Sequence, residues 1–306
     1  MRMSTTTGEA GSGMAMSDAM DGGPTHWTTL VSAEELAGLI GRRDLVVIDA
    51  RFGIGDPAQG ERDYAAAHLP GAVYAHLDRD LSDHSLQGHG RHPLPDARDL
   101  SRRLGAWGIS PSHQVVVYDA RDGAMAAARV WFLLRLLGHA RAAVLDGGFA
   151  RWSALGLPLS ANVEQPVPCA YAADYDLSLL AMATELSNPG EPDAPLLIDA
   201  RAAERFHGDV EPLDRVAGHV PGAINRPFVQ NLQGDGRFRP AAELAADFHA
   251  LLHGRKPDQA VFMCGSGVTA CHNLLAMEHA SLRGARLYAD SWSGWISDPS
   301  RPVARG

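Results

Sequence analysis

Cysteine is scarce: the chain has 306 residues, and only Cys169, Cys264 and Cys271 are cysteines. Three are too few for a disulfide framework, and their scarcity predicts a reducing compartment, the cytoplasm. No Cys-x2-Cys pair occurs, which argues against a zinc site, although Cys264, Cys271 and His272 together would offer suitable atoms. We expect no metal ion and no organic cofactor.

Long apolar runs are absent as well. No stretch is long enough to span a bilayer, and residues 1–25 lack the apolar core of a signal peptide, so we expect a disordered tail there. The formal net charge of −9 argues against nucleic acid or an anionic membrane as a partner. Hydrophobic residues at 45% and charged residues at 21% are typical of a soluble globular protein, which we expect to be a monomer that acts on small molecules.

Four motifs recur in the same order in the two halves of the chain. Two of them are an apolar run closed by Asp-Ala-Arg and a His-x-Pro-Gly-Ala turn. The order is that of a duplicated domain, since solenoid repeats have much shorter periods. The matched pairs are residues 45–51 with 196–201, 68–72 with 219–223, 115–119 with 260–264, and 145–152 with 288–295.

Strand-like apolar runs alternate with helix-like stretches in both halves. Ser32 followed by Glu35 is a capping-box signature, and residues 126–137 and 243–252 have amphipathic helical patterns. This alternation predicts an α/β fold in which each half is a mostly parallel sheet with helices on both faces. We predict a first domain at 26–157, a proline-containing linker at 158–175 and a second domain at 176–306.

The most informative stretch is residues 260–270, where an apolar run ends at Cys264 and a glycine-containing turn leads into a predicted helix. A thiol placed there faces backbone N–H groups that nothing inside the helix bonds, and these favour its reactive thiolate form. Gly265 and Gly267 allow the backbone to approach a ligand. The alternative is that Cys264 fills the core, as many cysteines do.

The loop Cys264-Gly265-Ser266-Gly267-Val268-Thr269 resembles the active-site loop of the rhodanese family, and most of all its 3-mercaptopyruvate sulfurtransferase branch. The resemblance covers roughly residues 27 to 305 and implies two tandem rhodanese-like domains. It also implies a catalytic Cys264 that carries sulfur as a persulfide from a small-molecule donor to a thiophilic acceptor, cyanide or a thiol. The substrate-binding residues of the loop would be Gly265, Gly267, Val268 and Thr269.

Three other functions compete with this interpretation. Thiosulfate is an alternative donor, although members that prefer it often carry cations after the cysteine, and this loop has none. A non-catalytic binding module is an alternative from another class, against which the complete Cys264 loop counts. A phosphatase of the Cys-x5-Arg type would need arginine where the chain has Ala270.

The first half has Asp119 at the position equivalent to Cys264. Because an aspartate cannot carry sulfur, we predict that the first domain is inactive and contributes a wall of the site.

Ser266 follows the cysteine by two residues and could donate a hydrogen bond to the donor. In the 3-mercaptopyruvate branch the matching serine belongs to a proposed Ser-His-Asp relay, whose histidine the resemblance assigns to His68, with Asp63 as the acid. The alternative for His68 is a structural turn, since His219 repeats the motif.

Arg201 follows Asp199-Ala200 at the carboxyl end of a predicted strand, where open α/β sheets bind ligands. The resemblance assigns the substrate-binding arginine to Arg201, with Arg205 as a second candidate. Either could instead be an ion-pair partner of Asp199. The chain also has Asp290 where the family commonly has glycine, which would strain a turn or add negative charge near the site.

Overall fold

The computed structural model describes Met1 and residues 26–187 and 194–306. The predicted disordered tail at 1–25 therefore lies outside the described residues apart from Met1. Among the described residues, no helix is long and apolar enough to cross a membrane.

The first half alternates strands and helices as predicted. The capping box of Ser32 and Glu35 begins the first helix, and the pattern at 126–137 forms a helix over 127–136. The elements are β1 Leu30–Val31, α1 Ala33–Ala37, β2 Leu45–Asp49, α2 Gln59–Ala66, β3 Val73–Tyr74, α3 Leu77–Asp80, α4 Ala97–Ala106, β4 Gln114–Tyr118, α5 Ala127–Leu136, β5 Ala142–Leu145 and α6 Gly148–Ala154.

In the part of the chain that the structure describes, the second half repeats this order without a strand equivalent to β1 and with a 3-10 turn in place of α3. Between the halves, residues 158–175 contain neither helix nor strand, and the boundaries given for this linker stay a prediction. The elements of the second half are α7 Ala183–Leu186, β6 Leu196–Asp199, α8 Ala203–His207, β7 Ile224–Asn225, α9 Ala241–Leu252, β8 Ala260–Met263, α10 Ala270–His279, β9 Arg286–Leu287 and α11 Ser291–Trp295, with short 3-10 turns at Leu177–Leu179, Phe228–Asn231 and Pro257–Gln259.

Each half forms its own parallel sheet. The first sheet has the order β1-β5-β4-β2-β3 and the second the order β7-β6-β8-β9, and every named strand pair is parallel. The central strand β8 is fully buried, which explains its continuous apolar sequence. The predicted α/β fold, with two tandem domains that each contain a parallel sheet, is confirmed.

The two domains share one apolar core. A single cluster of buried side chains includes Val115 and Trp131 from the first domain together with Phe262 and Leu275 from the second. Burying a side chain of this size contributes roughly 1.5–3 kcal/mol, so the shared cluster disfavours separation of the domains. The boundary between the domains therefore has a fixed geometry, which suits a binding site.

Two buried side chains cross the domain boundary at equivalent positions. Arg129 is the third residue of α5, and its Nη1 donates to the carbonyl of Gly267 at 3.0 Å. His272 is the third residue of α10, and its Nε2 lies 3.0 Å from the carbonyl of Asp122. Each helix thus holds the loop of the opposite domain.

Candidate active site

Cys264 follows β8 directly and has 1% of its surface exposed. The N–H of Gly267 donates to its Sγ at 3.2 Å. The N–H of Cys264 donates to Oγ of Ser291 at 3.1 Å, and its carbonyl accepts from the N–H of Trp292 at 3.0 Å. The backbone of Cys264 is therefore held firmly, while its sulfur faces an amide donor that stabilises a charged sulfur.

Gly267 is required by the shape of this loop. Its φ is +77°, and a Cβ added there would lie 2.3 Å from the carbonyl oxygen of Ala289. Arg129 and the thiol of Cys271 both donate to the carbonyl of Gly267, at 3.0 Å and 3.3 Å. These two bonds hold the peptide that follows Gly267, beside the N–H that donates to the sulfur of Cys264.

Asp290 is not strained. Its φ is −65°, and the left-handed residue is the neighbouring Ser291, with φ at +51°. The carboxylate of Asp290 lies 3.1 Å from Nδ1 of His89. Asp290 thus joins the second domain to the first, and of the two alternatives given for it the backbone strain is excluded.

A cavity of about 320 Å³ opens above Cys264 at the domain boundary. Both domains line it, which agrees with the prediction that the first half supplies a wall. The lining residues are Phe52, Ile54, Pro57, Asp78, Arg91, His92 and Met125 from the first domain and Arg205, Leu213, Cys264, Gly265, Ser266, Val268 and Thr269 from the second.

Ser266 meets a histidine from the opposite domain. Nδ1 of His92 lies 2.8 Å from Oγ of Ser266, and Nε2 of His92 lies 3.3 Å from Oδ1 of Asp78. The carboxylate favours a proton on Nε2, which leaves Nδ1 to accept from the Ser266 hydroxyl. The three side chains form a Ser-His-Asp arrangement that sequence reasoning assigned to other residues.

Burial, with the charge of Arg129 as the second cause, lowers the pKa of His92 to about 3. The imidazole is therefore neutral at pH 7, and its unprotonated Nδ1 can accept the hydrogen bond of the Ser266 hydroxyl. A negatively charged donor that enters the cavity raises this pKa again, because it favours the imidazolium.

The prediction that His68 and Asp63 belong to the site is wrong. His68 is fully buried, its Nδ1 lies 2.7 Å from the carbonyl of Tyr64, and its Nε2 lies 3.2 Å from the carbonyl of Asn162. Asp63 accepts from the side chain of Gln59 at 2.6 Å. Neither residue lines the cavity. Their hydrogen bonds instead stabilise the turn and the helix in which they lie.

The assignment of the substrate-binding arginine to Arg201 is also wrong. Its guanidinium donates from Nη2 to Asp199 at 2.6 Å and to the carbonyl of Gly218 at 2.8 Å, and 1% of its side chain is exposed. Arg51 makes the same pair with Asp49 in the first domain, at 2.6 Å. Each arginine forms an ion pair with the aspartate at the carboxyl end of its strand, which is the alternative given above for Arg201.

Arg205 does line the cavity, together with an arginine that sequence reasoning missed. A Cβ added at Gly265 would lie 2.9 Å from Nη2 of Arg91, 3.4 Å from Nη2 of Arg205 and 3.5 Å from its Nη1. Two guanidiniums from opposite domains therefore stand over the residue that follows Cys264. Their positive charges provide the cations that the Cys264 loop itself lacks.

In the first domain, the carboxylate of Asp119 accepts three backbone N–H groups of its own loop. They belong to Arg121, Gly123 and Met125, at 3.1, 2.9 and 2.9 Å. Burial raises the pKa of Asp119 to about 7. A side-chain carboxylate thus occupies the anion position of this loop, so the loop offers its N–H groups to no external ligand.

Comparison with known proteins agrees with this architecture. A family model described as a rhodanese-like domain matches residues 32–155 and again residues 182–298. A probable 3-mercaptopyruvate sulfurtransferase of Pseudomonas aeruginosa is 49% identical over 280 residues, which cover 90% of this chain and 98% of that protein. A putative thiosulfate sulfurtransferase of Mycobacterium tuberculosis is 39% identical over 284 residues, which cover 90% and 97%.

A solved structure, 3-mercaptopyruvate sulfurtransferase from Leishmania major, matches with a TM-score of 0.77 at 30% identity, over 89% of this chain and 75% of that one. The two sequence relatives are matched over 98% and 97% of their length, and their names include both sulfur donors. The alternative of a non-catalytic binding module is thereby set aside. This chain belongs to the rhodanese family and is a tandem-domain sulfurtransferase.

Proposed function

We propose that this sulfurtransferase moves the sulfur of 3-mercaptopyruvate to a thiophilic acceptor, cyanide or a thiol, through a persulfide on Cys264. The observation that carries the proposal is the pairing of Ser266 Oγ with His92 Nδ1, at 2.8 Å, in the cavity above Cys264. An acid–base pair serves a donor whose carbon–sulfur bond must break, because the carbon fragment leaves as an enolate that needs a proton.

In the first half-reaction the Cys264 thiolate attacks the donor sulfur. A sulfur–sulfur bond forms, the carbon–sulfur bond breaks, and its electron pair stays with the three-carbon fragment as an enolate. The relay of Ser266 and His92 takes the proton of the donor thiol and returns it to the enolate carbon, which gives pyruvate. The N–H of Gly267, which donates to Sγ of Cys264, supports the negative charge of the persulfide.

In the second half-reaction the acceptor attacks the outer sulfur of the persulfide. With cyanide, a carbon–sulfur bond forms, the sulfur–sulfur bond breaks, and thiocyanate leaves. The electron pair returns to Cys264 as a thiolate, so the enzyme ends as it began and needs no cofactor. Substrates of this size fit a cavity of about 320 Å³. The three cysteines are all unpaired among the described residues, which suits the reducing cytoplasm.

Arg205 is the proposed anchor for the donor carboxylate. Arg205→Met should raise the Michaelis constant for 3-mercaptopyruvate about 10–100-fold, because charge-assisted hydrogen bonds are worth roughly 1.5–3 kcal/mol. Arg205→Lys should be intermediate, since lysine keeps the charge and loses the forked geometry. Steady-state kinetics give both constants. Arg215→Met is the matched control, because exposed Arg215 donates to the carbonyl of Ile296 and does not line the cavity. An unchanged Michaelis constant in Arg205→Met would exclude this role.

The competing donor is thiosulfate, which the two guanidiniums of Arg91 and Arg205 favour because it is a dianion. We expect the wild type to use 3-mercaptopyruvate with at least about tenfold higher kcat/KM, since thiosulfate makes no use of the relay. The measurement is the ratio of the two catalytic efficiencies with cyanide as the common acceptor. A preference for thiosulfate would overturn the proposed donor and leave the Cys264 chemistry in place.

A further inference from the structure

The anion position between the two cavity arginines is already occupied by a carboxylate of the protein. Oδ1 of Asp214 accepts from Nη1 of Arg91, and Oδ2 of Asp214 accepts from Nη2 of Arg205 at 3.3 Å. Arg91 belongs to the first domain and Arg205 to the second, so one carboxylate bridges two domains. The Asp214 side chain is only 5% exposed, and it is further held by its backbone N–H, which donates to Glu211 at 3.1 Å.

This bridge stands beside the reacting sulfur. Both guanidiniums lie within 3.5 Å of the position that a Cβ of Gly265 would take, one residue after Cys264. The same two guanidiniums are the cations that a charged donor meets in the cavity. Any donor anion therefore shares these arginines with Asp214.

The positive charge of the two cavity arginines is fully offset by neighbouring carboxylates. Arg205 donates from Nη2 to Glu211 at 2.7 Å as well as to Asp214, so the two cavity arginines face two carboxylates. Asp78 adds a third carboxylate to the lining. Because Coulomb energy scales with the charge of the ligand, each of these carboxylates opposes a dianion about twice as strongly as a monoanion.

We propose that Asp214 determines donor specificity by charge: it admits donors with one negative charge, such as an α-keto carboxylate, and disfavours dianions such as thiosulfate. The inference rests on the proposed function for the identity of the preferred donor. It concerns the ratio of kcat/KM for thiosulfate to kcat/KM for 3-mercaptopyruvate, called the donor ratio below. A change in this ratio can be measured whichever donor the wild type prefers.

The test is Asp214→Asn, which keeps an oxygen for Arg91 and removes one negative charge. We expect kcat/KM for thiosulfate to rise about tenfold relative to that for 3-mercaptopyruvate. The inhibition constant of sulfate, a dianion that cannot donate sulfur, should fall by a similar factor, and that of acetate should change less. Asp290→Asn is the matched control, because it makes the same change at the domain boundary where the carboxylate pairs with His89 instead of an arginine.

Arg91→Met provides an independent second variant, since the Arg91 side chain is about one-third exposed and its loss should not prevent folding. Removing this cation should shift the ratio in the opposite direction, against thiosulfate. The inference would be overturned if Asp214→Asn left both the donor ratio and the inhibition constant of sulfate unchanged. It would also be overturned if Asp290→Asn shifted the donor ratio by the same factor. A wild type that prefers thiosulfate would contradict the proposed donor, whereas an unchanged ratio in Asp214→Asn would contradict only the role of Asp214.

Discussion

Cys264→Ser should abolish sulfur transfer, with a loss of more than about 10⁴-fold in turnover, because oxygen cannot accept the donor sulfur and nothing else in the cavity can replace it. The fold should survive, since the backbone bonds of residue 264 to Ser291 and Trp292 do not involve the side chain. Intact mass after incubation with 3-mercaptopyruvate should show one added sulfur per wild-type chain, removable by cyanide, and none in the variant.

Cys271→Ser is the control for this experiment. Burial raises the pKa of Cys271 to about 12, so this thiol stays protonated and unreactive at neutral pH. Its Sγ donates to the carbonyl of Gly267 at 3.3 Å, and a serine hydroxyl can make the same bond. Most activity should therefore remain in this variant, as also in Cys169→Ser. A second added sulfur on another peptide would contradict the single site per chain.

The nucleophile and the architecture could be predicted because their signals are local. An apolar run that ends in Cys264 and a glycine-containing turn forms the strand and loop from its own residues, and the duplicated order of motifs predicts two similar sheets. The parallel order within each sheet follows from the alternation of strands with helices. Each of these signals can be recognised within a short stretch of sequence, even though the sheets themselves join distant strands.

The relay could not be predicted because it crosses 174 residues of sequence, from His92 to Ser266. The sequence does contain one signal for this segment, an insertion in the first half relative to the second. The third motif follows the histidine motif by 115 − 68 = 47 residues in the first half and by 260 − 219 = 41 in the second. The extra residues fall in a histidine-containing segment that packs on α11, where the N–H of Arg91 donates to Ser293 at 3.0 Å.

Repetition itself separates structural residues from the site. His68 and His219 stack on Tyr64 and Phe206, with ring centroids 4.2 and 3.8 Å apart, so both copies serve the same turn. The pair Arg51 and Arg201 behaves in the same way toward Asp49 and Asp199. Residues present in both halves therefore belong to the architecture.

The residues that build the site occur in only one half. Arg205 is one: the position four residues after Arg51, equivalent to its place after Arg201, is Gly55. Cys264 is another, with Asp119 as its counterpart. In a duplicated chain with one site, candidate site residues can thus be found by comparing the two halves position by position. Here this comparison indicates Arg205, whereas the resemblance indicated Arg201.

His92→Asn should lower kcat with 3-mercaptopyruvate about 100-fold or more, since general acid–base groups contribute roughly 10²–10⁴-fold. Asparagine can still accept a hydrogen bond from Ser266 near the position of Nδ1, but it cannot take up and return a proton. The carbonyl of His92, which accepts from Arg129 at 3.0 Å, is unchanged, so the loop should keep its place.

The two donors make this prediction specific to proton transfer. Thiosulfate releases sulfite when its sulfur–sulfur bond breaks, and sulfite leaves without a proton, so His92→Asn should reduce that reaction less than about threefold. Single-turnover formation of the persulfide from each donor, followed in the same enzyme preparation, separates the step from acceptor chemistry. An equal loss with both donors would mean that His92 only shapes the cavity.

His84→Asn is the control for the carboxylate that the relay uses. Nε2 of His84 lies 3.5 Å from the same Oδ1 of Asp78 that faces His92, yet His84 is half exposed, makes no hydrogen bond to Ser266 and does not itself line the cavity. It should retain wild-type rates with both donors. If His84→Asn instead reproduced the loss seen in His92→Asn, the effect would come from the charge of Asp78 and its surroundings, and the relay through Ser266 would be wrong.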